Sequence, residues 1–173
     1  MLKSGLSVQR VNCRRGKKEI ELVCSNPNYI SDFSTGTDGW VENLGVAAFQ
    51  GGVTLGGESA VLQVSFDNSG TPADDPSSFL KLELSFNAGC TYTWQLDYYI
   101  NSANDEVTFV NEIVVGGTTL SVDSGTVPTN TWLTRTGTIT PTNASGRFYI
   151  YMNSDSDTKS SDTVGFKNIK LFL

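Results

Sequence analysis

The chain has no histidine among its 173 residues, and this narrows its chemistry at once. Ser-His-Asp and Cys-His activation of a nucleophile are excluded, and with them most zinc sites. Carboxylate pairs remain, since glycoside hydrolysis needs two acids flanking one bond. The adjacent acids Asp74-Asp75 and Asp105-Glu106 stand in turn-like stretches, where exposed acids are ordinary. No glycine-rich phosphate loop of the P-loop or dinucleotide type is present. The chain is therefore expected not to be an enzyme. Cys13, Cys24 and Cys90 show no CxxC spacing and are too few for a zinc site or a disulfide framework. Free thiols in a reducing cytosol are the expectation, with a Cys13–Cys24 pair across a short loop as the alternative.

Binding is the chemistry left, and alternation locates it. In Tyr92-Thr-Trp-Gln-Leu-Asp-Tyr-Tyr-Ile100, Tyr92, Trp94, Leu96, Tyr98 and Ile100 share one face. If that face is the core, Gln95, Asp97 and Tyr99 point outward. In Arg147-Phe-Tyr-Ile-Tyr-Met152, Phe148, Ile150 and Met152 point inward, which leaves Arg147, Tyr149 and Tyr151 outward. A single outward face carrying Tyr99, Tyr149 and Tyr151 is expected, either as a ligand surface or as a face covered by a partner chain. Trp40, Trp94 and Trp132 are assigned to the core, because each lies in a strand pattern that packing explains.

These residues need strands to position them. Val61–Phe66 buries Leu62, Val64 and Phe66, and Leu80–Phe86 buries Leu80, Leu82, Leu84 and Phe86. Val107–Val115 is nearly continuous in apolar character, as a strand covered on both sides is. Gly116-Gly117 reads as a tight hairpin turn, since glycine supplies the positive φ it requires. Phe166–Leu173 closes the chain with Ile169 and Leu171 on one face. No segment keeps a sustained 3.6-residue apolar period, so the fold class is all-β and antiparallel, with helix scarce.

Charge divides the chain. Residues 1–18 hold Lys3, Arg10, Arg14, Arg15, Lys17 and Lys18 with no acid, whereas all 18 acids follow. The polar tract Ser25-Asn-Pro-Asn28 marks a boundary between an extended basic arm, 1–28, and a body, 29–173. An acidic body repels nucleic acid, so docking on an acidic partner falls to Arg10, Arg14, Arg15, Lys17 and Lys18. No run reaches the roughly 18 apolar residues a membrane helix needs. Met1–Arg15 lacks the apolar stretch of a secretory signal, and none is expected.

Four blocks in order carry a resemblance: Asp32-Phe-Ser-Thr-Gly-Thr-Asp-Gly-Trp40, Phe86-Asn-Ala-Gly-Cys-Thr-Tyr-Thr-Trp94, Thr129-Asn-Thr-Trp132 and Phe166–Leu171. Together they resemble the jelly-roll carbohydrate-binding modules appended to bacterial glycanases, over residues 29–173. The resemblance implies an antiparallel jelly-roll β-sandwich with no catalytic role, and a sugar cleft on an outward sheet face. Gln95, Asp97, Tyr99, Arg147, Tyr149 and Tyr151 are the residues it nominates. Where the family places an acid beside a structural calcium, this chain has Lys167 and Asn168, and a lysine opposes a dication that wants oxygen ligands. No metal or cofactor is therefore expected, with Asp32, Asp38 and the Asp155-Ser-Asp157 pair the oxygen donors that remain. A sugar-module body, a basic arm and no export signal together suggest a phage virion accessory protein, such as a capsid decoration, head fibre or tail appendage. Its arm would dock on a capsid or tail protein and its body, as an oligomer or alone, would face a cell-surface polysaccharide. The alternative is a free extracellular carbohydrate-binding module of a polysaccharide-degrading system.

Overall fold

Alternating apolar residues build each strand, and two sheets close over the side chains that alternation turns inward. The computed structural model describes residues 7–8, 23–24, 28–42, 46–66, 78–102, 106–108, 111–123, 126–144, 147–152 and 163–173. In chain order the first strands are β1 (Ser7–Val8), β2 (Val23–Cys24), β3 (Tyr29–Ile30), β4 (Val41–Glu42) and β5 (Val46–Leu55). Then come β6 (Glu58–Phe66), β7 (Ser78–Glu83), β8 (Tyr92–Asn101), β9 (Glu106–Thr108) and β10 (Asn111–Val115). The last are β11 (Thr118–Ser121), β12 (Thr126–Pro128), β13 (Trp132–Ile139), β14 (Arg147–Met152) and β15 (Thr163–Phe172). Among the described residues there is no helix.

A six-stranded sheet runs β13-β8-β15-β6-β5, with β3 added on β15, and a five-stranded sheet runs β11-β10-β14-β7-β4. Every pairing is antiparallel. Between the sheets lie Leu62, Val64, Leu80, Leu82, Trp94, Leu96, Tyr98, Phe148, Ile150, Phe166 and Leu171, all buried. The expected antiparallel jelly-roll sandwich is the fold observed.

Two of the resembling blocks are turns that seat aromatic residues. In residues 32–40, Asp38 and Gly39 take positive φ of 52° and 81° and drop Trp40 into the core. There its ring meets Phe148 edge-on at 5.4 Å. In residues 86–94, Gly89 turns at φ 82°, and the Tyr92 hydroxyl accepts the Asn87 N–H at 2.9 Å. Gly116 and Gly117 form the expected turn between β10 and β11.

Three expectations need correction. Cys24 is not a free thiol and does not pair with Cys13; it forms a disulfide with Cys90, 66 residues away. Both sulfurs lie in the core, where folding brings together residues that local spacing cannot relate. Cys13 lies outside the described residues. The apolar run 107–115 is not one strand: β9 pairs with β12, while β10 joins the five-stranded sheet. Leu84 and Phe86 lie beyond β7, which ends at Glu83, although Phe86 is still buried.

Candidate functional site

Gln95, Asp97 and Tyr99 lie on β8 in the six-stranded sheet, whereas Arg147, Tyr149 and Tyr151 lie on β14 in the five-stranded sheet. The single face expected to carry all three tyrosines does not exist. The two sets belong to different sheets, and Phe148 and Ile150, which alternate with positions 147, 149 and 151, are buried between them. Within each set the residues are brought together.

On the six-stranded side, register aligns Trp132 with Tyr99, Thr134 with Asp97 and Thr136 with Gln95. Trp132 is therefore not a core residue: it shares the outer face with Tyr99, at 5.4 Å between ring centroids. The turn between β5 and β6 folds over this pair. Gly56, at φ 57°, offers its carbonyl to the Trp132 indole N–H at 3.2 Å. A Cβ at Gly56 would lie 2.6 Å from the Tyr99 ring, so only glycine allows the approach. Lys167 places its ammonium 4.4 Å from the Trp132 ring centre and pairs with Glu58 at 3.2 Å. Leu55 and Val61 crowd Gly165 beneath, which is why Val61 is buried although it faces away from the sandwich interior.

Asp97 is on the same face but only 7% exposed. It accepts the Thr134 hydroxyl at 2.7 Å and the Asn168 amide at 2.6 Å. Asn168 reaches it from a bulge in β15, where the register with β8 slips between Lys167 and Lys170 and Asn168 takes φ 50°. Lys167 and Asn168 thus bind groups of this protein. Among the described residues no three of Asp, Glu, Cys or His cluster as metal ligands. The Asp155-Ser-Asp157 pair lies outside the described residues.

On the five-stranded side, one transverse row runs Val41, Lys81, Tyr149, Val114, Thr119. The next runs Phe79, Tyr151, Glu112, Ser121. Arg147 stands opposite Glu83. Positions 147, 149 and 151 fall opposite Phe148 and Ile150, which are buried. Tyr149 and Tyr151 are thus about 6.6 Å apart along one strand. Val41 is 48% exposed, and Lys81 pairs with Glu83 at 3.1 Å.

No protein-family model matches the chain, and no curated protein matches it. Solved structures do. The xylan-binding domain described as CBM 22, formally x6b, superposes at a TM-score of 0.58 with 17% identity, over 84% of this chain and 93% of that one. The CBM22-2 xylan-binding domain of Paenibacillus barcinonensis Xyn10C gives 0.57 with 13% identity, over 83% and 98%. The N-terminal CBM22-1-CBM22-2 tandem of that protein gives 0.59 with 11% identity over 83% of this chain, which spans about half of the tandem, 48%. The fold is that of carbohydrate-binding modules. At these identities the likeness is one of fold.

Arg10, Arg14, Arg15, Lys17 and Lys18, the cations expected to dock on a partner, lie outside the described residues. Sequence reasoning missed Trp132 as a surface residue and the hairpin that covers it. The signal was present in Gly56-Gly57, the same turn pattern as Gly116-Gly117, which marks β5 and β6 as a hairpin whose tip can reach a neighbouring surface.

Proposed function

We propose that the chain is a non-catalytic glycan-binding module and that the outer face of its five-stranded sheet is the binding surface. The observation that carries this is the register that puts Tyr149 and Tyr151 in adjacent rows of that face, beside Lys81, Glu83 and Val41. Tyrosines two residues apart on one strand offer successive rings to successive sugars. The Lys81 and Glu83 head groups supply donor and acceptor for hydroxyls. The aromatic pair on the other face is already engaged with Gly56 and Lys167, which favours the five-stranded side. Because structural neighbours are xylan-binding domains, xylohexaose is the first ligand to test. Replacing Tyr149 and Tyr151 together by alanine should weaken binding about tenfold or more, at about 1 kcal/mol for each stacked ring. Calorimetry against xylohexaose and a glycan array measures it, and unchanged affinity at an unchanged melting temperature rejects this face.

For its setting we keep the virion reading, with the module exposed on a phage particle and held by its arm. Six cations before the first acid support an anchor for an acidic shell protein. The free carbohydrate-binding module is the alternative. The Cys24–Cys90 bridge suits an oxidising setting and so supports a working place outside the cell in either case. Changing Arg10, Arg14, Arg15, Lys17 and Lys18 to glutamine should abolish attachment to particles lacking the protein. Attachment undiminished by those changes removes the anchor.

A further inference from the structure

The six-stranded side has a second feature, whose lining does not include Trp132. At the other end of β15, beside β3, an open cavity of about 720 Å³ is lined by Tyr29, Ile30, Asp38, Lys170, Phe172 and Leu173. The volume is in the range of small-molecule sites. Its apolar lining is unusually bare, since Ile30 is 65% exposed and Phe172 38%.

The Tyr29 and Asp38 part of the polar lining is fixed in advance. Buried Trp40 donates its indole N–H to the Tyr29 hydroxyl at 2.8 Å, and Tyr29 donates to Asp38 Oδ2 at 2.7 Å. The Asp32 N–H reaches the same oxygen at 2.9 Å. Burial and the bond to Asp38 hold the Tyr29 phenol above its ordinary range, so it remains a donor. Both donors fall on Oδ2, and among the described residues none falls on Oδ1. Asp38 keeps this position at a φ of 52°, which a residue with a side chain rarely adopts. Across the cavity, Lys170 has no ion-pair partner among the described residues. The site thus offers a held carboxylate oxygen, a free ammonium and an exposed ring.

We infer that this cavity is a second saccharide site that takes one neutral pyranose residue. A pyranose has a flat C–H face for Phe172 and Ile30, and rim hydroxyls that donate to Asp38 and accept from Lys170. Neutrality follows from charge: Asp38 and Lys170 cancel, and the acids beyond residue 18 exceed the bases there by twelve, which repels anions. The inference rests on the glycan-binding reading, yet its site lies on the opposite sheet from Tyr149 and Tyr151. A chain gripped at both places gains from effective concentration.

The test titrates the whole, isotope-labelled protein with the methyl β-pyranosides of xylose, glucose and galactose, followed by NMR. At least one sugar should shift the Lys170 and Phe172 amides and the Trp40 indole N–H, which senses Asp38 through Tyr29. The shifts should persist when Tyr149 and Tyr151 are alanine. Lys170→Met, Asp38→Asn and Phe172→Ala should each weaken them about fivefold, the loss of one stacked ring or charged hydrogen bond. The same spectra report whether each variant is folded. If only the five-stranded face responds, this site is refuted and the glycan-binding reading stands. If no sugar shifts either face, both fall. If zwitterionic phenylalanine moves these signals and no pyranoside does, the saccharide assignment is overturned.

Discussion

On the six-stranded side, Trp132 has its indole nitrogen on Gly56, its ring beneath Lys167 and its flank against Tyr99. On the five-stranded side, Lys81 and Glu83 pair with each other, and Val41 stands half in water at the end of the row that holds Tyr149. Both sheets carry aromatic residues at positions that alternate with buried ones, Tyr99 on β8 and Tyr149 on β14. One face has been closed by the protein's own hairpin, so its tryptophan acts as a latch for the β5–β6 turn. The other has no such covering among the described residues. Aromatic composition alone therefore does not distinguish a sugar platform from a clasp; the partners of the ring do.

The comparison can be broken most forcefully at Trp132. Trp132→Ala should cost about 3 kcal/mol, through lost contacts with Tyr99, Lys167 and Gly56. For a chain of this size that lowers the melting temperature by roughly 6–12 °C. Affinity for xylohexaose should not change in the variant below its melting temperature. A tenfold loss of affinity with an unchanged melting temperature would reverse the roles of the two faces. Gly56→Ala tests the same clasp from the hairpin side. A Cβ there overlaps Tyr99 and strains a left-handed residue, so a loss of about 2 kcal/mol is expected by chemical denaturation. The smallest effect belongs to Lys167→Met, which removes the cation above Trp132 and the partner of Glu58. It should cost about 0.5–1 kcal/mol, shrinking in high salt only by the Glu58 share.

Alternation carried most of the fold. It read the buried residues of β8, and Phe148 and Ile150 of β14, because every second residue there is large and apolar; in β15 it found only Ile169 and Leu171, since the bulge after Lys167 breaks the alternation with Phe166. It could not say which sheet a strand joins. Tyr99 and Tyr149 obey the same rule on their own strands and still part company, since pairing of β8 with β13 and β15, and of β14 with β7 and β10, is a long-range fact. Val61 shows the same limit, being buried on an outward face only because Leu55 and the hairpin fold over it. The β5 strand escaped notice for a local reason. Its Gly51-Gly52 pair breaks the apolar pattern, and its register against β6 slips three times. Asp97 shares a face with Tyr99 by alternation, yet it is buried under Thr134 and Asn168, and the Asn168 contact depends on a bulge that no spacing announces.

The Cys24–Cys90 bond also sets how the protein bears mechanical load. If the basic segment is a tether, tension enters the body at Cys24. It passes through sulfur to Cys90, two residues ahead of β8, an interior strand of the six-stranded sheet. The intervening loop, residues 25–89, which holds β3 to β7, lies outside that path and cannot be drawn out while the bond is intact. Pulled from the tether and from Leu173 in an optical trap, the oxidised protein should release only the length of chain beyond residue 90. Reduction should add the length of the loop, roughly 220 Å at the extended span of about 3.4 Å per residue.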